Sequence, residues 1–152
     1  MRKKCNRKIW STSIDAVAHA IAGAGVTDQS SLNKLRMREL SAIESMTKGT
    51  GTIGDWQSLV DMLNICEMMA TYGIGPEALV YCNIAQESLA QSAKRFETIK
   101  RMGLNGEGIH AIKEVYEYHD LQRSSISRSE YERMIQKTRN HLNSRSELVT
   151  VL

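Results

Sequence analysis

The chain has 152 residues, of which 41% are hydrophobic and 24% are charged, and its net charge is +3. This length suits one domain whose core needs no metal or disulfide, and the charge is lower than in dedicated nucleic-acid binders. Cys5, Cys66 and Cys82 form no CxxC pattern and no Cys/His cluster. We therefore predict reduced thiols in a cytosolic protein, with Cys66 and Cys82 buried as small apolar side chains.

The first element follows the basic opening MRKKCNRK. An export signal needs an unbroken apolar stretch of about 7–15 residues, and here Asp15 and His19 interrupt it. The remaining apolar residues repeat with the spacing of one helix face. Residues 10–26 are therefore predicted to be a first helix behind a basic arm of residues 1–9. Since no stretch approaches the length of a membrane span, a cytoplasmic protein without membrane contact is predicted.

Helix signals continue in the middle of the chain. Ser30 precedes a run with apolar residues three and four apart, which Gly49 ends. Thr52 and Asp55 then resemble a capping box, and the most apolar helix follows at residues 55–72. Because that helix is apolar on two faces, it is predicted to lie at the centre of the domain.

Three more helices are predicted after short turns. Pro76 suits the first turn of the fourth helix, Asn105 or Gly106 opens the fifth, and Ser127 or Ser129 caps the sixth. Neither an internal repeat nor a strand pattern interrupts them.

The chain ends in LVTVL, which is rich in β-branched residues. Residues 144–152 are accordingly predicted to be a tail, either a short strand or a loose segment. The fold class predicted for residues 1–152 is all-α, a single-domain bundle of about six helices.

Catalytic patterns are missing, so the chain is predicted to be no enzyme and to use no cofactor or metal. A GxSxG elbow is absent, and the glycines of GTGTIGDW lack the lysine of a phosphate loop. His110, Glu114 and Glu117 share a helix face, but one helix rarely supplies a whole metal site. A solvated acidic face is predicted there, and His119, on the apolar stripe, is predicted to be a hydrogen-bonded core histidine.

The order of these segments resembles a family of small helical accessory proteins encoded by temperate phages and prophages of proteobacteria. The resemblance covers almost the whole chain and is most specific in GTGTIGDWQSLVDMLNICEMMATYGIG and in YEYHDLQ. Cys5 and Asn6, after the opening RKK, depart from the family's pattern, which leaves the role of the arm open. The resemblance implies a phage origin and a helical fold, and it transfers no catalytic residue.

The leading functional prediction follows from that resemblance by analogy. It is a stoichiometric inhibitor of a bacterial defence system, of the anti-CRISPR type, whose partner is a host defence protein complex. Protein interfaces favour aromatic residues and arginine. The residues predicted to contact the partner are Arg36, Arg38, Tyr72, Tyr81, Tyr118 and Arg123.

Two other functions are kept as alternatives. One is a sponge for a phosphorylated or cyclic-nucleotide immune signal, because helix N-termini after glycine turns bind anions. The other is a nucleic-acid-binding phage regulator that uses the basic arm to contact phosphates. The residues predicted for that contact are Arg2, Lys3, Lys4, Arg7, Lys8 and Trp10.

A symmetric homodimer is also predicted. The central helix has apolar residues on two faces, and both faces must be covered. Because methionine-rich surfaces adapt well to partners, the predicted dimer interface contains Met62, Met69 and Tyr72.

Overall fold

The computed structural model describes the backbone of residues 29–149 and the side chains of residues 29–144. The predicted basic arm (residues 1–9) and the predicted first helix (residues 10–26) lie outside this range.

Five α-helices and one short 3-10 helix form the described part of the chain. They are α1 (Gln29–Lys48), α2 (Ile53–Thr71), the 3-10 helix (Pro76–Ala78), α3 (Leu79–Ile99), α4 (Gly106–Ser125) and α5 (Arg128–Val149). Within residues 29–149 no strand is present, and a single antiparallel bridge joins Gly51 to Met102. The predicted all-α, single-domain fold is confirmed.

Side chains at the predicted caps fix where three of the helices begin. At α2, the Asp55 amide donates to Thr52 Oγ1 over 3.1 Å and the Thr52 amide donates to Asp55 Oδ2 over 2.9 Å, which completes the capping box. Asn105 Oδ1 accepts the Gly108 amide of α4 at 2.7 Å. Ser127, rather than the alternative Ser129, accepts the Glu130 amide of α5 at 3.2 Å.

α2 lies at the centre of the bundle, as predicted, and packs against α1, α3, α4 and α5. The core around it contains both described cysteines, which are free thiols. Trp56 of α2 is half-buried, and its Nε1 donates to the carbonyl oxygen of Leu89 on α3 over 2.9 Å. Among residues 29–149, no helix is both long enough and apolar enough to cross a membrane.

The second apolar face of α2 is covered within the chain. Met62 is buried in the main core, and Met69 is buried against Tyr131 and Met134 of α5. The predicted dimer interface at Met62 and Met69 is therefore wrong, because neither side chain reaches the surface. Of the three residues predicted for it, only Tyr72 is exposed.

The prediction for the C-terminal tail is also wrong where the structure describes it. α5 continues to Val149, so residues 144–149 are neither a strand nor a loose segment. Extending an existing helix fixes one residue for each hydrogen bond gained, whereas a single strand needs a neighbouring strand for its hydrogen bonds. The preference of valine and threonine for strands is too weak to outweigh that difference. Residues 150–152 lie outside the described range.

Candidate binding groove

The first half of α5 packs closely against α2. Tyr131 and Met134 are buried against Met69 of α2, and half-buried Ile65 and Ile135 pack beside them. Thr138 is also buried, and its Oγ1 donates to the carbonyl oxygen of Met134 over 2.8 Å. From residue 139 to residue 144 every side chain of α5 is exposed. The two helices are therefore joined at one end and leave an open groove at the other.

Two cavities lie along this α2–α5 groove, with volumes of about 430 and 300 Å³. Both are lined by Asn64, Thr138 and Leu142. The two cavities are therefore neighbours along the contact between α2 and α5. Sites for small ligands usually measure about 300–1,000 Å³. Each cavity is thus large enough to receive several side chains of a binding partner.

The two walls of the groove carry opposite charges. α2 contributes Asp61 and Glu67, and α5 contributes Lys137 and Arg139. None of these four side chains forms an ion pair within 4 Å with another residue of the described part. From residue 133 to residue 144, α5 contains no aspartate or glutamate. The groove therefore offers free charges of both signs to an occupant.

Tyr72 and Lys137 meet at the larger cavity. Tyr72 is 56% exposed, and Lys137 Nζ lies 4.1 Å from the centre of its ring. This cation–π contact holds an aromatic face and a positive charge together at the surface. Tyrosine beside a cation is a combination typical of the residues that dominate binding energy in protein interfaces.

The other residues predicted to contact a partner do not gather at the groove. Arg36 Nε lies 2.7 Å from Asp120 Oδ1, and Arg38 Nε donates to Ser58 Oγ over 2.9 Å. Both arginines therefore already bind residues of neighbouring helices.

Tyr81 and Tyr118 form a separate pair. Their rings stack with centres 5.9 Å apart, and both side chains are half-buried. The structure thus brings these two predicted residues together, on α3 and α4, away from the α2–α5 groove.

The prediction that Arg123 contacts a partner is wrong. Its side chain is fully buried, with Nη2 2.8 Å from Glu39 Oε1 and 3.2 Å from Asp120 Oδ1. Burial raises the pKa of the Glu39 carboxyl, whereas the positive charge of Arg123 acts in the opposite direction. Arg123 neutralises charge inside the bundle, a role that its sequence neighbours do not reveal.

His119 is buried and hydrogen-bonded, as predicted. Its Nδ1 lies 3.0 Å from Gln122 Oε1. In the residues with described side chains, no three histidine, cysteine, aspartate or glutamate residues are placed to hold a metal ion. His110 is exposed, and its ring lies edge-on to Tyr81. The residues predicted for nucleic-acid contact, Arg2, Lys3, Lys4, Arg7, Lys8 and Trp10, lie outside the described range.

Several groove residues were missed by the sequence analysis. Asn64, Glu67, Lys137, Asn140 and His141 all line the larger cavity. Lys137 and His141 are four residues apart and so share a helix face. No acidic residue lies near them in the sequence, and this pattern could have indicated a positively charged surface. The signal missing from the sequence was the position of α5 beside α2.

Comparison of the chain with protein-family models, with curated proteins and with solved structures found no match. The resemblance to phage accessory proteins therefore stays a prediction from the sequence.

Proposed function

We propose that this chain is a binding protein without catalytic activity, and that its α2–α5 groove receives a helical segment of a protein partner. In this proposal the partner is a bacterial defence complex, which binding inhibits. The observation that carries the proposal is the pair of oppositely charged walls, with Asp61 and Glu67 facing Lys137 and Arg139.

The charge pattern favours a protein over a phosphate-bearing ligand. A nucleic acid or a cyclic nucleotide brings negative charge, which Asp61 and Glu67 repel. A helix of another protein can present both signs of charge together with apolar side chains for Met68 and Leu142, which also line the larger cavity. A sponge for an immune signal and a nucleic-acid-binding regulator are therefore treated as alternative outcomes of the test.

The choice of partner rests on the sequence. The chain resembles small accessory proteins of temperate phages, and its 152 residues contain no catalytic pattern. Small phage proteins of this kind often act by binding, commonly to a host defence complex. This step is an analogy between proteins and is weaker support than the groove.

The test begins with tagged chain captured from bacteria that carry a defence system. The activity of the captured complex is then measured with and without added chain, and inhibition at one chain per complex is expected. Tyr72→Ala and Lys137→Glu should each weaken binding by roughly 30-fold, the effect of losing about 2 kcal/mol at an interface hot spot.

Matched controls lie on α4, outside the groove. Leu121 is 67% exposed and Lys113 is exposed, so Leu121→Ala and Lys113→Glu change apolar surface and charge to a similar degree elsewhere. Both controls should inhibit like the unaltered chain. If the control variants lost as much binding as the groove variants, the groove would not be the binding site. A complex that binds the chain and stays active, or binding only to DNA or cyclic nucleotides, would argue against an inhibitor.

A further inference from the structure

A small cavity, with exposed Arg38 and Asp61 in its lining, adjoins the α2–α5 groove. Its volume is about 60 Å³, and Asp61 and Ile65 line both this cavity and the smaller cavity of the groove. The polar side chains around it come from α1, α2, α4 and α5 and are Arg38, Glu39, Ser58, Asp61, His119 and Tyr131. This region is separate from the Tyr72–Lys137 contact at the larger cavity.

The hydrogen bonds of Gln122 fix the tautomer of His119. Gln122 Nε2 donates to the carbonyl oxygens of Cys66, over 3.3 Å, and of Ile74, over 2.7 Å. The amide oxygen of Gln122 must therefore face His119 Nδ1, 3.0 Å away. Because an amide oxygen only accepts, Nδ1 carries the proton. Nε2 is left with a free lone pair.

His119 Nε2 is a preorganised acceptor. It is buried and receives no hydrogen bond from any residue of the described part. Burial, together with the charge of Arg123, lowers the pKa of His119 to about 4, so the ring is neutral at pH 7. A buried acceptor without a donor destabilises the fold, and a bound donor would remove that penalty.

No side chain around the cavity donates a hydrogen bond to this atom. Ser58 Oγ already donates to the carbonyl oxygen of Gly54 and accepts from Arg38 Nε, each over 2.9 Å. Glu39 Oε1 is a second buried acceptor without a hydrogen bond, although Arg123 Nη2 lies 2.8 Å away. Arg123 Nε is in turn a buried donor without an acceptor.

Charge and size select a neutral, very small ligand. Glu39 is paired with Arg123, and exposed Arg38 and Asp61 bring one charge of each sign to the cavity, so the surroundings do not favour a cation. The residues with described side chains contain no group of three ligands for a metal ion. About 10–15 Å³ of cavity volume is enough for one water molecule, so this cavity of about 60 Å³ has room for bound water.

We propose that this cavity is a specific hydration site, in which a bound water molecule donates a hydrogen bond to His119 Nε2. The site is a property of the folded chain and does not depend on the proposed function.

The experiment is nuclear magnetic resonance on the full chain labelled with ¹⁵N and ¹³C. Long-range nitrogen–proton spectra should show a protonated Nδ1 and an unprotonated Nε2 on His119. Cross-relaxation between water and the ring protons of His119 should have the sign of water that stays bound for longer than nanoseconds. A protonated Nε2, or no such signal from water, would overturn the proposal.

Variants that fill the cavity supply the control. Leu35→Phe adds volume at the lining, and Ile65→Phe does so at a second position if the first variant does not fold. Either folded variant should lose the water signal at His119. Leu104→Phe, a half-buried position that does not line the cavity, should keep it. Persistence of the signal in a folded cavity-filling variant would also overturn the proposal.

Discussion

Arg123 of α4 and Glu39 of α1 form a buried ion pair, with Nη2 2.8 Å from Oε1, although 84 residues separate them in the chain. Asp120 extends the pair, since its Oδ1 lies 3.2 Å from Arg123 Nη2 and 2.7 Å from Arg36 Nε. Four charges of alternating sign thus join α1 to α4. Arg36 and Asp120 are partly exposed, whereas Glu39 and the guanidinium of Arg123 are buried.

Removing one member of the pair should destabilise the fold. Arg123→Ala leaves the Glu39 carboxylate buried without its partner, and we expect the free energy of unfolding to fall by about 3–5 kcal/mol. Urea denaturation followed by circular dichroism measures this. The exposed pair Lys48–Glu44 serves as the comparison, because Lys48→Ala should cost at most about 1 kcal/mol.

Replacing both partners should cost much less than replacing one. In Glu39→Leu/Arg123→Met no unpaired charge remains in the core at these positions, and apolar side chains of similar size fill the space. We expect the double variant to recover most of the stability lost in Arg123→Ala. A single variant no less stable than Lys48→Ala would contradict the assignment of this pair as a structural element.

His119 should make stability depend on pH. Its pKa is about 4 in the folded chain against 6.5 for a free imidazole, so the unfolded chain binds more protons between these values. The free energy of unfolding should therefore fall as the pH drops from about 6.5 to about 4, by on the order of 3 kcal/mol in total. At pH values above the pKa of the unfolded state, His119 should not make the free energy of unfolding depend on pH.

The variant His119→Gln isolates this contribution. Glu39 has a raised pKa and acts with the opposite sign, while the lowered pKa of Asp120 acts with the same sign, but both groups are present in the two proteins being compared. The difference in unfolding free energy between the two proteins should therefore change across the pH range from 6.5 to 4. Parallel pH profiles would show that His119 is not a buried neutral imidazole.

Cys66 and Cys82 should be unreactive in the folded chain. Both thiols are buried, their sulfur atoms lie 3.9 Å apart, and hydrogen bonding to Cys82 and burial raise the pKa of Cys66. The reactive form of cysteine is the thiolate. In a Cys5→Ser background, Ellman's reagent should label these two thiols at least about a thousandfold more slowly in buffer than in denaturant.

A new exposed thiol calibrates that measurement. Val80 is 64% exposed, so Val80→Cys in the same background should react at the rate of a free thiol. Rapid labelling of Cys66 or Cys82 in the folded protein would show that the core around α2 opens more readily than the packing implies.

Replacing Gly108 should destabilise the fold, although Gly108 lies in a helix. A Cβ atom there would collide with Ser88 Oγ of α3, and it would lie 2.6 Å from Ser88 Cβ. Gly108→Ala should therefore lower the free energy of unfolding by about 1–3 kcal/mol, although alanine favours a helix over glycine by about 1 kcal/mol.

Gly106 provides the matched control at the start of the same helix. A Cβ at Gly106 meets no atom within 4 Å, so Gly106→Ala should be neutral or stabilise the chain by at most about 1 kcal/mol. Adding Ser88→Gly to Gly108→Ala removes the collision and should restore part of the loss. Equal stability of the two alanine variants would contradict the close approach of α3 and α4.

Signals that act over a few residues were sufficient to predict the helices. Thr52 with Asp55, Asn105 and Ser127 each bind an amide three residues away, so the cap geometry is contained in the local sequence. The two apolar faces of the helix around Met62 and Met69 likewise fixed its central position. All-α architecture follows from these short-range patterns alone.

Tertiary packing decided what covers each face and where the open surface lies. Periodicity shows that Met69 is on an apolar face, but not that Tyr131 and Met134 of α5 cover it instead of a second chain. For the same reason Arg123 looked like a surface residue, because its partner Glu39 is 84 positions away. The α2–α5 groove also joins residues far apart in the chain. Spacing along one helix specifies a face and its chemistry, whereas the neighbour of that face is set by the whole bundle, in which each helix must bury its apolar side and pair its buried charges.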